Sequence, residues 1–253
     1  DIRWHLHLEF SRLVKEISPD FVTMENVPGL LRHSVFNKFI DDLESANYKV
    51  FRHIVDCSEY GIPQVRSRLV LIASKWGELK LLTPSEFGQT RKTVREAIGA
   101  LPPINAGQTH DHDPLHRSSE LSNLNMRRMK ASKPGGTWRD WDESLITTCH
   151  KKKSGKTYSS IYGRMKWDDP APTITTQFYG FGNGRFGHPE QNRAISLREG
   201  AILQSFPECY EFSAPGEPIH IKTIGRLIGN AVPVVLGEVI GKSLIAHLSK
   251  LDS

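Results

Sequence analysis

Phe21-Val22-Thr23-Met24-Glu25-Asn26-Val27-Pro28-Gly29 carries four mostly apolar, strand-forming residues into a carboxylate, an amide and a Pro-Gly turn. The pattern predicts a buried parallel strand that delivers Glu25 at its carboxyl end. In open α/β sheets that edge is where ligands bind. Upstream, Leu6, Phe10, Leu13, Val14 and Ile17 recur at helical spacing from Arg3 to Ile17, and Ser18-Pro19 stops the pattern. Downstream, Val35, Phe36, Phe39, Ile40 and Leu43 predict a second helix that ends at Asn47, and Tyr48 to Val55 reads as another strand. Strand, helix and strand within a few dozen residues predict a doubly wound α/β layer.

Further out lies Tyr60-Gly61-Ile62-Pro63-Gln64-Val65-Arg66-Ser67-Arg68, followed by the apolar strand Leu69 to Ala73. Arg66 and Arg68 are two residues apart, so an extended backbone projects them to the same face. A planar guanidinium there suits a phosphate or a base edge, where Lys would substitute poorly. Lys92 to Leu101 predicts a short helix ended by Pro102-Pro103. From there to about Pro189 the periodicity fades and Gly and Pro become frequent. This predicts an irregular, partly β region with turns at Lys133-Pro134-Gly135-Gly136 and Asp168-Asp169-Pro170, whose long loops are expected to be functional. Helical signal returns at Ser196 to Ser205, where Ser196 and Glu199 have capping-box spacing, and a last helix is predicted from Val234 to Leu248.

A chain of 253 residues has ample core for one large or two modest domains. Lys and Arg number 33 against 28 Asp and Glu, a net charge of +5. The excess gathers in the middle third, where Arg127, Arg128, Lys130, Arg139 and Lys151 to Lys153 alternate with Trp138, Trp141, Tyr158, Tyr162 and Trp167. Basic residues mixed with aromatics suit a nucleic-acid surface. No apolar run is expected to reach the roughly 18 to 20 residues of a membrane span, and the amino end does not read as a signal peptide. The expected setting is the cytoplasm, associated with the nucleoid and not with a membrane. Cys57, Cys149 and Cys209 are odd in number and far apart, which argues against a disulfide framework or a CxxC metal site.

Three lookalikes fail on context. Gly182-Asn183-Gly184-Arg185-Phe186-Gly187 matches GxGxxG, but no apolar strand leads in and His188-Pro189 follows where a helix is required. Gly155-Lys156-Thr157 resembles the end of a P-loop, yet His150 occupies the position of the required earlier glycine. His110, Asp111, His112, Asp113 and His116 offer ligand types without a zinc spacing, so no metal is expected.

A set of motifs in fixed order survives. Glu25-Asn26-Val27, Pro63-Gln64-Val65-Arg66-Ser67-Arg68, Arg193 with Leu197-Arg198-Glu199 and Leu203-Gln204-Ser205-Phe206-Pro207, and Ile228-Gly229-Asn230-Ala231-Val232-Pro233 together strongly resemble the DNA cytosine-5 methyltransferases. Asp1-Ile2-Arg3 with Leu6 looks like the end of that family's fifth motif, and Thr173-Ile174-Thr175 sits where its target recognition domain carries a Thr-rich segment. The resemblance covers nearly the whole chain and is weakest from about residue 85 to 170. It implies an α/β, Rossmann-like methyltransferase domain, present in part, with a smaller, irregular, partly β target recognition domain. The expected division is a catalytic part over 1–84, a recognition region over 85–190, and a return to the catalytic domain over 191–253.

In that family a cysteine thiolate adds to C6 of a flipped-out cytosine, the enamine takes a methyl from S-adenosylmethionine at C5, and the proton and thiolate are then eliminated. By resemblance Glu25 holds a proton for N3 and accepts from the exocyclic amine, while Arg68 points at O2 and steadies the charge developing on the ring. Leu6, Asn230 and Ala231 are the expected cofactor contacts. Thr173, Thr175 and Arg185 are expected on duplex DNA, and Arg66 at a phosphate or in loop structure.

The sequence also departs from the family. It has neither the glycine-rich cofactor motif nor the Pro-Cys nucleophile, and none of its three cysteines follows a proline. The chain begins with Asp1, inside a predicted helix, and is expected to be part of something longer. The upstream half would be unrecorded, a complementing subunit, or lost from an inactive remnant. Two readings stand: a methyltransferase seen in part, for which a cognate restriction nuclease is a candidate partner, or a module that recognises DNA without chemistry. A third, less favoured reading is an RNA methyltransferase of the same fold.

Overall fold

The computed structural model describes residues 3–214 and 216–251, apart from the side chains of residues 3–5 and 156. Asp1 and Ile2 of the motif read at the amino end lie outside the described residues. In chain order the elements are α1 (Arg3–Ile17), β1 (Phe21–Asn26), α2 (Ser34–Ser45), β2 (Lys49–Asp56), β3 (Ser67–Ser74), α3 (Pro84–Phe87) and α4 (Val94–Ile98). There follow β4 (Thr109–His110), β5 (Asp113–Arg117), α5 (Asn123–Ala131), α6 (Thr148–Lys151), α7 (Leu197–Leu203), α8 (Ile221–Asn230) and α9 (Val234–Leu251). The chain divides into two units. Unit 1 comprises residues up to Tyr60, Arg66–Thr90 and Val235 onward; unit 2 comprises Gly61–Val65 and Arg91–Val234.

Unit 1 is built on a sheet of order β1-β3-β2 in which β3 runs antiparallel to both neighbours. This corrects the expectation that the strand carrying Glu25 is parallel. β1 and β2 point the same way, as a helical crossover requires, but β3 returns between them after the loop 57–66, which is closed by Cys57 N–H donating to the Arg66 carbonyl at 2.9 Å. Leu69 to Ala73 are apolar throughout because β3 is central and covered on both faces, a pattern that does not reveal strand direction. Leu69, Leu71 and Ala73 meet Phe36, Phe39, Ile40 and Leu43 of α2 and Val14 of α1 on one face, where Phe10 stacks on Phe39 at 5.3 Å. Ser74, on the other face, meets His247 of α9 at 3.3 Å, and Leu82 N–H donates to Ser243 on the same helix.

Residues 221–251 depart from the expectation that no stretch reaches the length of a membrane span, since an 18-residue window within them has a mean hydropathy of 1.5. That length is shared by α8 and α9, which are separated at Ala231-Val232-Pro233. Ser243 and His247 of α9 bond within unit 1.

Unit 2 carries the predicted irregular stretch and extends beyond it, with β4 and β5 forming its one two-stranded sheet among the described residues. Its core joins α4, α7 and α8 to Phe178, Phe186 and Ile174, and a second cluster gathers Met129, Trp138, Trp141 and Phe181. The capping box opens α7 as read from the sequence: Ser196 Oγ accepts from Glu199 N–H and Glu199 accepts from Ser196 N–H. Both α5 and α8 were missing from the sequence reading. In α8, Gly225 and Gly229 obscure the helical signal; a Cβ at either would press into the Tyr179 ring or the Thr175 backbone.

Candidate functional site

In the β1–β3 register Glu25 lies opposite Val70, so Arg68, two residues back on β3, is its diagonal neighbour on the same face. The two side chains meet, with Arg68 Nε 2.6 Å from Glu25 Oε1, at 14% and 17% side-chain exposure. The Arg68 N–H does not aim along this contact, so Oε1 has charge attraction without a hydrogen bond and can still accept one. A part-buried carboxylate facing a guanidinium at the end of a strand presents an acceptor and a cation side by side.

Cys57 and Arg66 lie buried near this pair. Burial pushes the Cys57 thiol up to about 12, so it is protonated at neutral pH and a poor nucleophile. Burial, reinforced by the charge of Arg68, brings Arg66 down to about 10, which leaves it charged at neutral pH. Arg66 is thus buried, not projecting outward. Leu6 is exposed on α1 in the same unit.

The remaining predicted residues belong to unit 2. Thr173 donates its hydroxyl to the Val65 carbonyl at 2.6 Å, and Thr173 and Arg185 line one cavity of about 500 Å3. Thr175 touches Gly229 through its backbone. Asn230 is exposed as the last residue of α8, and Ala231 N–H caps that helix on the Leu227 and Ile228 carbonyls.

Two residues quoted only as motif letters in the sequence organise these segments. Gln64 and Gln204 are fully buried. Gln64 Nε2 donates to the Leu203 carbonyl at 2.8 Å and to Gln204 Oε1 at 2.7 Å, while its Oε1 accepts from Ile174 N–H. Gln204 Nε2 donates to the Ile228 and Ala231 carbonyls. One amide pair therefore binds the segment before Arg66, the Thr173–Thr175 segment and the end of α8. Their only sequence signal is a Gln inside each of two motifs.

A second buried group is ionic. Arg193 donates both terminal nitrogens to Glu199 at 2.6 and 2.7 Å. Burial opposes ionisation of Glu199, but the Arg193 hydrogen bonds and charge outweigh it and hold the carboxyl below its usual range. His188 Nδ1 accepts two backbone N–H groups, and burial brings this imidazole down to about 4. His116 spends its nitrogens on Ser196 Oγ and the Pro102 carbonyl, and among the described residues no three side chains assemble as a metal site.

Known proteins resemble this chain along most of its length. The sequence profile of the C-5 cytosine-specific DNA methylases matches residues 1–246. The Type II methylase M.HgiDII of Herpetosiphon aurantiacus is 53% identical over 98% of the chain and 71% of its own length. Type II methyltransferase M1.HphI of Haemophilus parahaemolyticus is 33% identical over 97% of the chain, and M1.BsuMI of Bacillus subtilis is 32% identical over 95%. The chain spans 62% and 54% of those two relatives. Among solved structures, a prophage-encoded DNA modification methyltransferase from E. coli superposes with a TM-score of 0.73 at 23% identity, over 98% of this chain and 75% of that one. A Spodoptera frugiperda DNMT2 gives 0.58 at 18% identity, over 89% of this chain and 66% of that one. Both likenesses support the α/β fold.

Proposed function

Since the chain belongs to the C-5 cytosine-specific DNA methylase family, we propose that it serves methyl transfer to C5 of a flipped-out cytosine in a specific duplex DNA sequence, within restriction-modification. The observation that carries this reading is the Glu25–Arg68 pair, 2.6 Å apart and part-buried on one sheet face. Glu25 would hold a proton at cytosine N3 and accept from the exocyclic amine, and Arg68 would meet O2. The two groups steady negative charge as it develops on the ring. A cytosine within a duplex cannot enter such a site, so the base must leave the stack.

Leu6 offers an exposed apolar surface and Asn230 an exposed amide, chemistry that fits the adenosyl and methionyl parts of S-adenosylmethionine as contacts. Ala231 is the neighbouring contact. When bound, that cofactor supplies an electrophilic methyl group. Thr173, Thr175 and Arg185 are assigned to DNA, while the burial of Arg66 favours a part in loop structure. Residues 1–84 and 191–253 are proposed as catalytic and 85–190 as recognition, acting in the cytoplasm on nucleoid DNA. The attacking thiolate would come from a further segment or a complementing subunit.

The buried, protonated Cys57 favours a second reading, DNA recognition without chemistry. Transfer of a radiolabelled methyl group to duplex DNA, measured beside DNA affinity, separates the two. Glu25→Gln and Arg68→Ala are expected to lower transfer by about 10²–10⁴-fold with affinity little changed. Equal losses in both would assign the pair to DNA grip. Duplex binding by the unaltered protein with no transfer would favour recognition alone.

A further inference from the structure

The 500 Å3 cavity of unit 2 has walls of Val65, Met165, Pro170, Pro172 and Thr173. Most of its donors are missing or bonded, Lys166 excepted. The two prolines have no N–H. Val65 N–H donates to Ala171, Met165 N–H to Gly187, and the Thr173 hydroxyl to Val65. The guanidinium of Arg164 is saturated by the carbonyls of Ser132, His188, Gln191 and Met129 and by the Asn192 side chain. Lys166 pairs with Asp169 at 3.2 Å.

Arg185 differs. It is exposed at the cavity, with no hydrogen bond or ion pair to another described residue. Its stem lies across Gly163, where a Cβ would stand 2.6 Å from Arg185 Cγ and 3.2 Å from Cδ. The glycine gives the stem a track and holds the charged fork at the mouth of a concavity of mixed polar and apolar walls. A phosphate is met as well by a point charge such as the exposed Lys166 on the same cavity, so it does not call for the planar fork. A planar fork with parallel donors matches a base edge carrying two adjacent acceptors, and in the major groove that edge is guanine O6 and N7.

We propose that Arg185 reads a guanine of the recognition sequence, with the base edge presented to this cavity. The proposal rests on the reading of the chain as a DNA methyltransferase. The test starts from a duplex selected out of a randomised pool by the unaltered protein. Affinity is then measured for that duplex, and for duplexes with each guanine pair changed to an adenine pair, at two salt concentrations. One such change is expected to weaken the unaltered protein by about 5- to 100-fold. Arg185→Lys keeps the charge, and should keep the salt dependence while losing preference at that position. Gly163→Ala keeps the guanidinium but displaces its stem, and should blunt the same preference.

Unchanged preference at every guanine in Arg185→Lys would overturn the proposal. So would an Arg185→Ala variant that weakens all duplexes equally and lowers the salt slope by about one, the mark of a phosphate contact. An unaltered protein that binds no duplex would overturn the methyltransferase reading, and this proposal with it.

Discussion

Replacing Gln64 with Leu tests the amide pair most directly, because Leu nearly fills the same volume and removes only the polar end. The Leu203 carbonyl and Gln204 Oε1 lose donors at 2.8 and 2.7 Å, and Ile174 N–H loses an acceptor at 3.1 Å. Gln64 and Gln204 are both fully buried, so water does not readily replace these partners. At about 1–3 kcal/mol for each of the three stranded buried groups, the loss comes to roughly 3–9 kcal/mol. That is a large part of the 5–15 kcal/mol typical of a domain. Urea unfolding followed by the fluorescence of Trp138 and Trp141, both in the core of unit 2, reads it as a lower midpoint at similar slope. A loss below about 1 kcal/mol would refute the reasoning, since it would mean that the network is replaced at little cost.

Two further outcomes follow from the same interior. His188 has a folded pKa of about 4 against an ordinary 6.5, so the unfolded chain binds the proton first. The associated stability is complete above about pH 6.5 and falls by about 3 kcal/mol as pH drops toward 4. His188→Gln should flatten that fall in urea midpoints measured at pH 7 and 5, whatever its effect on the midpoint itself; an unaltered slope would refute the assignment. Gly200→Ala places a Cβ 2.1 Å from Cε2 at the ring edge of fully buried Phe178, and overpacking should cost about 1–3 kcal/mol, read as a lower melting temperature. A neutral result would show that Phe178 can move aside.

The candidate pair was legible because Glu25 and Arg68 each stand in a motif beside an apolar run. Their contact was not, because it depends on β3 lying antiparallel between β1 and β2, and residues buried on both faces carry no sign of direction. The capping box of α7 was legible because it is local, four residues of self-contained chemistry. The partners of Arg193, Gln64 and Gln204 were not: side chains 6 and 140 residues apart meet only once the fold exists. In α8 the local signal misleads, since glycine lowers helix propensity at the positions where close packing demands it.

The membership of Gly61–Val65 in unit 2 bears on how that unit can be moved between relatives. Residues 91–234 look like a single cassette, yet transplanting them alone would carry Gln204 without Gln64 and Ala171 without its bridge to Gln64 and Val65. A chimaera would inherit the host's five residues in the middle of the donor's core. Exchange should therefore succeed when the pentapeptide travels with the cassette, so the smallest portable unit of this protein is discontinuous in its gene.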